Sequence, residues 1–259
     1  MAFIRSVLHY IWMVGTGIPV VLIMVLGRLF LPEPARYRIG FWWCYWAILG
    51  LRWICGVQWR VQGLENMPAD PHAKIVVLCK HQSAWETFAM GVLLHKNLVF
   101  VFKKELLKIP LFGWALGSVD MVHIDRSAKT QAMQVMSDAT QRMMKAGRWV
   151  IMFPEGTRVP RGQSIPYKTG GVRTAIAAGA DILPVAVSSG KCWSKNSFTK
   201  RAGVIDVVVG PVIKSEGKEP HDLTREVQTW IEGQMRIIDA PAYEHELVTQ
   251  DGGTASSDA

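Results

Sequence analysis

A histidine and a carboxylate stand close together in Lys80-His81-Gln82-Ser83-Ala84-Trp85-Glu86-Thr87, with four residues between them. A neutral imidazole can accept a proton at physiological pH, and a carboxylate beside it can fix its tautomer and stabilise the imidazolium that forms. The spacing restricts how the two can meet. On a continuous α-helix, residues five apart lie roughly 140° apart around the axis, so one helix could not turn both toward one site. The pair works if His81 lies in a turn and Glu86 in the first turn of a helix, with Ser83 as N-cap between them. A plainer reading also fits: Ser83-Ala84-Trp85-Glu86 has the form of a capping box, in which Glu86 only returns a hydrogen bond to the start of its own helix.

A second polar stretch, Phe153-Pro154-Glu155-Gly156-Thr157-Arg158, ends another apolar run, and Lys103, Lys104, Arg126 and Lys168 fall in similar places. Arg158 suits an anion clamp because guanidinium offers a planar fork to phosphate oxygens. Gly156 permits close backbone approach, Thr157 adds a hydroxyl donor, and Glu155 would either hold Arg158 or bind a substrate hydroxyl. An ordinary salt bridge in a strand-end loop is the alternative. The sequence has no Gly-x-Ser-x-Gly elbow and no Walker-type phosphate loop, which disfavours a serine hydrolase of that kind and an NTPase. A base without a protein nucleophile points to direct attack by a substrate hydroxyl, with oxyanion donors and positioning supplying the rest of the rate.

These residues need a scaffold that delivers them to one place. The apolar, β-branched run at 73–79 leads into His81, and Phe88, Ala89, Val92 and Leu93 lead out at helical spacing, which predicts strand, turn and helix. Further strands are expected at 57–61, 98–102, 119–124, 149–153, 182–188 and 204–209. A short helix and loop are expected through 106–116. Longer helices are expected at 127–145, with Ser127 as cap and Gly147 as stop, at 169–178 and at 223–238. On the first of these, Met133, Val135, Met136, Met143 and Met144 read as core packing. Strands alternating with helices indicate an α/β fold with a largely parallel sheet flanked by helices, and its strand ends collect the polar motifs.

The chain has 259 residues, 49% hydrophobic, with 11 Trp and a formal charge of +8. Such a positive balance implies a negatively charged partner, and without a nucleic-acid-binding signature an anionic lipid surface or a phosphorylated substrate is favoured over nucleic acid. Its 4 cysteines show no paired spacing, so neither a zinc site nor a disulfide framework is expected. Residues 11–27 form an apolar stretch with Gly15, Gly17 and Pro19 inside it. A second stretch at 39–57 carries Trp42, Trp43, Tyr45, Trp46 and Trp53. Aromatics this dense suit the membrane interface, and Arg28, Arg36 and Arg38 between the stretches oppose a two-span anchor by the positive-inside tendency. A membrane-embedded helical hairpin lying in one leaflet is therefore expected at 1–58. An α/β domain follows at 59–240, then a tail at 241–259 whose Gly/Ser/Asp-rich end is expected to be disordered.

In combination, His81 with Glu86, the stretch Gly117 through Arg126, Phe153-Pro154-Glu155-Gly156-Thr157-Arg158 and Ile182-Leu183-Pro184-Val185 resemble the four motifs of the glycerolipid acyltransferases, specifically the 1-acylglycerol-3-phosphate acyltransferases. The resemblance covers roughly residues 63–211. It departs from the family pattern at two places: Glu86 stands where the acid is usually Asp, and Lys80 where Asn usually precedes the histidine. The resemblance implies transfer of a fatty acyl group from acyl-CoA or acyl carrier protein to the 2-hydroxyl of lysophosphatidate, on the cytoplasmic face of the cell membrane, with no cofactor or metal. It implies His81 and Glu86 as catalytic residues. Substrate binding would involve Arg126, Lys103 and Lys104 together with Glu155, Gly156, Thr157 and Arg158. Acylation of another lysolipid, such as a lysophospholipid or an ornithine lipid, is a neighbouring alternative, and a non-catalytic membrane-anchored lipid-binding protein is one from another class.

Overall fold

Two of the strands, β2 (Ile75–Cys79) and β5 (Trp149–Met152), are buried at every position. Strands of that kind need cover on both faces of their sheet. The computed structural model, which describes residues 1–124 and 129–244, supplies it. Ile75, Val77 and Cys79 of β2 enter a core shared with helices α2 (Glu33–Cys55) and α3 (Trp85–Leu93). Val76 and Leu78 enter a second core with α5 (Lys129–Lys145), α6 (Gly170–Ala178) and α7 (Pro220–Ile238). The period-2 alternation of a strand thus places successive β2 side chains in two cores on opposite faces.

The remaining strands are β1 (Val57–Gln62), β3 (Leu98–Lys103), β4 (Val122–Ile124), β6 (Asp181–Val187) and β7 (Gly203–Val209), and the order is β1-β7-β6-β2-β5-β3-β4. Every pair is parallel except β6 with β7, whose register is Val185↔Val209 and Ala186↔Val208. The expected α/β architecture with a largely parallel sheet is therefore present, with one antiparallel neighbour. The strand expected at 119–124 is only three residues long, because the chain at Val119–Met121 closes on itself with Met121 N–H donating to Val119 O (2.9 Å). Val135 is 57% exposed while Met136 and Met144 are buried, so the core-facing stripe of α5 excludes it. Asp125, Arg126, Ser127, the side chain of Met133 and the tail from 245 lie outside what the structure describes. All four cysteines are free.

The N-terminal hairpin consists of α1 (Ala2–Leu26) and α2, so the first helix begins nine residues before the apolar stretch read from the sequence. Polar contacts join the helices: Trp12 Nε1–H to Trp46 O (3.2 Å), Trp43 Nε1–H to Thr16 Oγ1 (3.2 Å) and His9 Nε2 with Ala47 O (3.2 Å). Away from these contacts α1 exposes Phe3, Ile4, Leu8, Ile11, Leu22 and Ile23, and α2 exposes Trp42, Trp46 and Trp53. A continuous apolar surface of this extent marks a membrane-contact face. Among the described residues α1, with its 3₁₀ extension to Leu29, is the one helix long and apolar enough to cross a bilayer.

Both ends of α2 are fastened to the α/β domain. At its start, Glu33 pairs with Arg148, Arg36 Nε–H donates to Ser118 O (2.8 Å) and Tyr37 O–H donates to Leu98 O (3.0 Å). At its end, Ile48, Leu51 and Cys55 sit in the same core as β2. The basic link between the helices is therefore bound to the domain, and the hairpin lies along the domain instead of projecting from it.

Candidate active site

Because β2 and β5 are parallel neighbours in the register Leu78↔Met152, the segments that follow them emerge side by side. The first is the turn at His81. The helix after it starts at Trp85, so the break that the His81–Glu86 spacing demands is present. The backbone N-cap is Ala84, one residue later than read from the sequence, and Ser83 Oγ still accepts from Trp85 N–H (2.9 Å). Glu86 Oε1 accepts from Gln82 N–H (3.0 Å) and Ser83 N–H (3.2 Å), and also receives the Ser189 hydroxyl. The capping role is thus real, and it coexists with the pairing role: Glu86 Oε2 lies 3.6 Å from His81 Nδ1. That distance is a charge-pair contact longer than a hydrogen bond, and Nδ1 is buried with no other hydrogen-bond partner. Burial pushes the Glu86 carboxyl up. The adjacent imidazole, the Ser189 hydroxyl and the Gln82 N–H more than offset this and hold it below the usual carboxylate range.

The second segment grips His81 from the other side. Phe153 stacks on the imidazole with ring centroids 3.7 Å apart and planes 11° apart. His81 N–H donates to Glu155 Oε2 (3.0 Å), and its carbonyl accepts from Val159 N–H (2.8 Å). Glu155 is therefore turned inward, away from the cavity described below, toward a fully buried ion cluster. Lys80 Nζ lies 2.6 Å from Glu232 Oε1 on α7 and 3.1 Å from Glu155 Oε1, and it donates to Gln163 O (3.2 Å). Tyr167 O–H donates to the same Glu232 oxygen (2.7 Å). One ammonium faces two carboxylates here. Burial pushes the Glu155 carboxyl up to about 8, against the pull of Lys80 and with repulsion from Glu232 adding to the rise. Lys80 is thus the centre of a charge cluster directly behind the histidine.

In front of the histidine is a cavity of about 660 Å³. One part is polar, lined by His81, Thr87, Lys103, Thr157, Arg158, Lys168, Lys195 and Asn196. The other is apolar, lined by Phe88, Phe100, Leu106, Phe112, Leu116 and Met121. Those apolar residues except Leu106 also line a smaller cavity of about 140 Å³ that runs between α1 and α2 among Val20, Val21, Met24, Phe41 and Trp43. Of the residues singled out from the sequence, His81, Lys103, Gly156, Thr157 and Arg158 reach the large cavity. Glu86 and Glu155 back it from the interior, Lys104 is exposed outside its lining, and Arg126 lies outside the described residues. Arg158 has no carboxylate partner among the described residues. Gly156 has φ +70°, and a Cβ there would meet Lys168 Nζ at 2.9 Å, so the turn that delivers Thr157 and Arg158 requires glycine.

Sequence reasoning missed Ser189, Lys195 and Asn196. They follow β6 and reach the site only because β6 lies beside β2. The sole sequence signal is the polar run Ser188-Ser189-Gly190-Lys191 after an apolar strand. Gln82 Oε1 binds this loop through Gly190 N–H (3.0 Å).

The Acyltransferase family model matches residues 58–188, which hold β1 through β6 and both polar motifs. A 1-acyl-sn-glycerol-3-phosphate acyltransferase of Pseudomonas aeruginosa is 37% identical over 239 residues, 91% of either chain. The human 1-acyl-sn-glycerol-3-phosphate acyltransferase alpha is 31% identical over 179 residues, 68% of this chain and 62% of its own. The crystal structure of the 1-acyl-sn-glycerophosphate acyltransferase PlsC from Thermotoga maritima superposes with a TM-score of 0.76 at 22% identity. It covers 93% of this chain and 98% of its own, and so shares the fold.

Proposed function

From the premise that this chain belongs to the acyltransferase family of the 1-acylglycerol-3-phosphate acyltransferases, we propose that it acylates the 2-hydroxyl of lysophosphatidate to give phosphatidate. Acyl-CoA or acyl carrier protein would be the thioester donor. The observation that carries the reading is the His81 imidazole at the cavity wall, with Nδ1 against buried Glu86 and Phe153 fixing the ring plane. That arrangement leaves Nε2 as the ring nitrogen available to the cavity. His81 takes the proton of the acceptor hydroxyl as its oxygen attacks the thioester carbonyl. The tetrahedral intermediate collapses with loss of thiolate, which takes the proton back from His81. Glu86 stays ionised and stabilises the imidazolium between the two transfers.

Arg158, Lys168 and Lys103 line the polar part of the cavity, where they suit the acceptor phosphate, and the apolar part between Phe88 and Phe112 suits an acyl chain. The apolar face of α1 and α2 supports membrane association, and we place the site on the cytoplasmic side, where thioester donors are made. The test is acyl transfer by purified protein, with products identified by lipid mass spectrometry. Phosphatidate is expected from lysophosphatidate and little product from monoacylglycerol. Equal use of both acceptors, or no transfer to either, would overturn the assignment.

A further inference from the structure

The segment between β3 and β4 carries a surface that neither the catalytic turn nor the hairpin accounts for. It consists of a 3₁₀ stretch, Lys104–Lys108, and the short helix α4 (Phe112–Leu116). Toward the protein, Leu106, Phe112 and Leu116 form a wall of the large cavity. On the outside, Ile109 is 44% exposed and Trp114 52%, among the exposed lysines Lys104 and Lys108. The two halves meet at a sharp reversal. Leu111 has φ +63°, ψ −61°, and Phe112 N–H donates to Pro110 O (2.7 Å), a three-residue turn that is strained for a residue with a side chain. Folding therefore spends conformational energy here to hold apolar side chains in water.

The position of α4 identifies what covers them. The helix packs against α1, and its Ala115 and Leu116 share the smaller apolar cavity with Val20, Val21 and Met24 of α1. In that same stretch α1 exposes Ile18, Leu22, Ile23 and Leu26. The Ile109–Trp114 surface thus borders the hairpin's lipid-facing surface, and its lysines complement a negatively charged sheet of headgroups. We propose that the 103–116 segment is a second membrane-contact element. In it Ile109 and Trp114 enter the interface and Lys104 and Lys108 meet anionic headgroups, so that the cavity mouth sits against the lipid surface. This deepens the reading of a lysolipid acceptor, since such a substrate would enter from the bilayer, but the contact itself does not depend on acyl transfer.

The test places a nitroxide on Trp114→Cys in the full chain. Glu216→Cys, on the exposed loop beside Asp181 at the opposite end of the strands, serves as control. Cys55, Cys79 and Cys192 are buried and Cys44 is half-buried, so the added thiol is the accessible one. Accessibility to oxygen and to an aqueous nickel chelate is read on vesicles of phosphatidylcholine with and without phosphatidylglycerol. The Trp114 label should become oxygen-accessible and nickel-protected, more so with phosphatidylglycerol, while the Glu216 label stays aqueous. Equal aqueous exposure of both labels on firmly bound protein would overturn the proposal. So would protection of Trp114 by an acidic acyl carrier protein and not by vesicles. If acyl transfer proved absent, this depth measurement would still decide the contact.

A second variant, Lys108→Glu/Trp114→Ser, changes residues that line neither cavity. It should keep its turnover on acceptor in detergent micelles and lose at least about fivefold on acceptor presented in anionic vesicles. Equal loss in both settings would refute the proposal.

Discussion

Replacing Lys80 by methionine removes the ammonium that lies between the buried carboxylates of Glu155 and Glu232, and the structure fixes what should follow. The lysine side chain is completely buried, with Glu232 Oε1 at 2.6 Å and Glu155 Oε1 at 3.1 Å. Removing one partner of such a pair leaves an uncompensated buried charge, at a cost of about 3–5 kcal/mol. In a chain of this length each kcal/mol corresponds to roughly 2–4 °C in Tm, so Lys80→Met should melt about 6–20 °C lower. The sign with pH is also set. Glu155 already has its folded pKa raised by burial, to about 8, so it contributes stability that is complete below the ordinary carboxylate pKa and declines as pH rises toward that value. Without Lys80 the Glu155 carboxyl loses the cation that holds its value down, so the deficit relative to wild type should grow above pH 8, where wild-type Glu155 ionises and the variant's stays protonated, at up to about 1.4 kcal/mol per pH unit. The double variant Lys80→Met/Glu232→Met replaces the pair by apolar groups of similar length and should recover most of the loss. Thermal melts in detergent micelles at several pH values measure all of this. A single variant within about 2 °C of wild type, a pH-independent deficit, or a double variant as damaged as the two singles added would each refute the argument.

Other substitutions address the reaction. His81→Ala should lower turnover on the order of 10²–10⁴-fold with thioester binding intact, and retention of more than about a tenth of wild-type activity would remove His81 from the base role. Glu86→Asp should be milder than Glu86→Gln in an acyl-transfer assay, because the charge beside His81 is kept; a Gln variant equal to wild type would leave Glu86 only its capping role. Ser189→Ala deletes a donor to Glu86. Because the depressed Glu86 pKa gives stability that is full above the ordinary carboxylate value and lost as pH falls through the folded one, the acid limb of the variant's melting curve should move to higher pH. An unmoved acid limb would show that Ser189 does not support the carboxylate. Arg158→Ala should raise KM for lysophosphatidate roughly 10- to 150-fold, the equivalent of a lost charged hydrogen bond of about 1.5–3 kcal/mol, with Arg158→Lys between. Equal damage with monoacylglycerol would place Arg158 in the scaffold.

Most of the sheet was legible because its strands are short apolar runs, rich in β-branched residues and bounded by turn residues, as at Ile75–Cys79. The His81 turn was legible for a geometric reason, since a helix could not serve both residues. What remained hidden involves pairing across long sequence distances. Glu155 sits in the Phe153–Arg158 stretch that reads from the sequence as anion-binding, yet its carboxylate faces Lys80 and the His81 main chain. That follows only once β5 is known to neighbour β2. Glu232 has no local signature whatever: one acid on an amphipathic helix reads as solvated, and only the packing of α7 brings it to Lys80. Ser189 was missed for the same reason, because strand order is not written in any single stretch.

The fastening of the hairpin to the domain bears on the order in which the chain folds. Ser6 accepts from the backbone N–H of Lys200, 194 positions later, Arg36 binds Ser118 across 82 and Arg148 binds Glu33 across 115. During synthesis α1 and α2 leave the ribosome long before these partners exist, with an apolar surface that lipid can cover at once. A bilayer contacting that surface would hold the first fifty-five residues until β3, β5 and the loop after β6 arrive to dock on them, and closure over such separations is slow. A chain lacking residues 1–56 would lose more than an anchor. Ile48, Leu51 and Cys55 would be missing from the core when the sheet closes, and the remainder should aggregate where a detachable domain would become soluble.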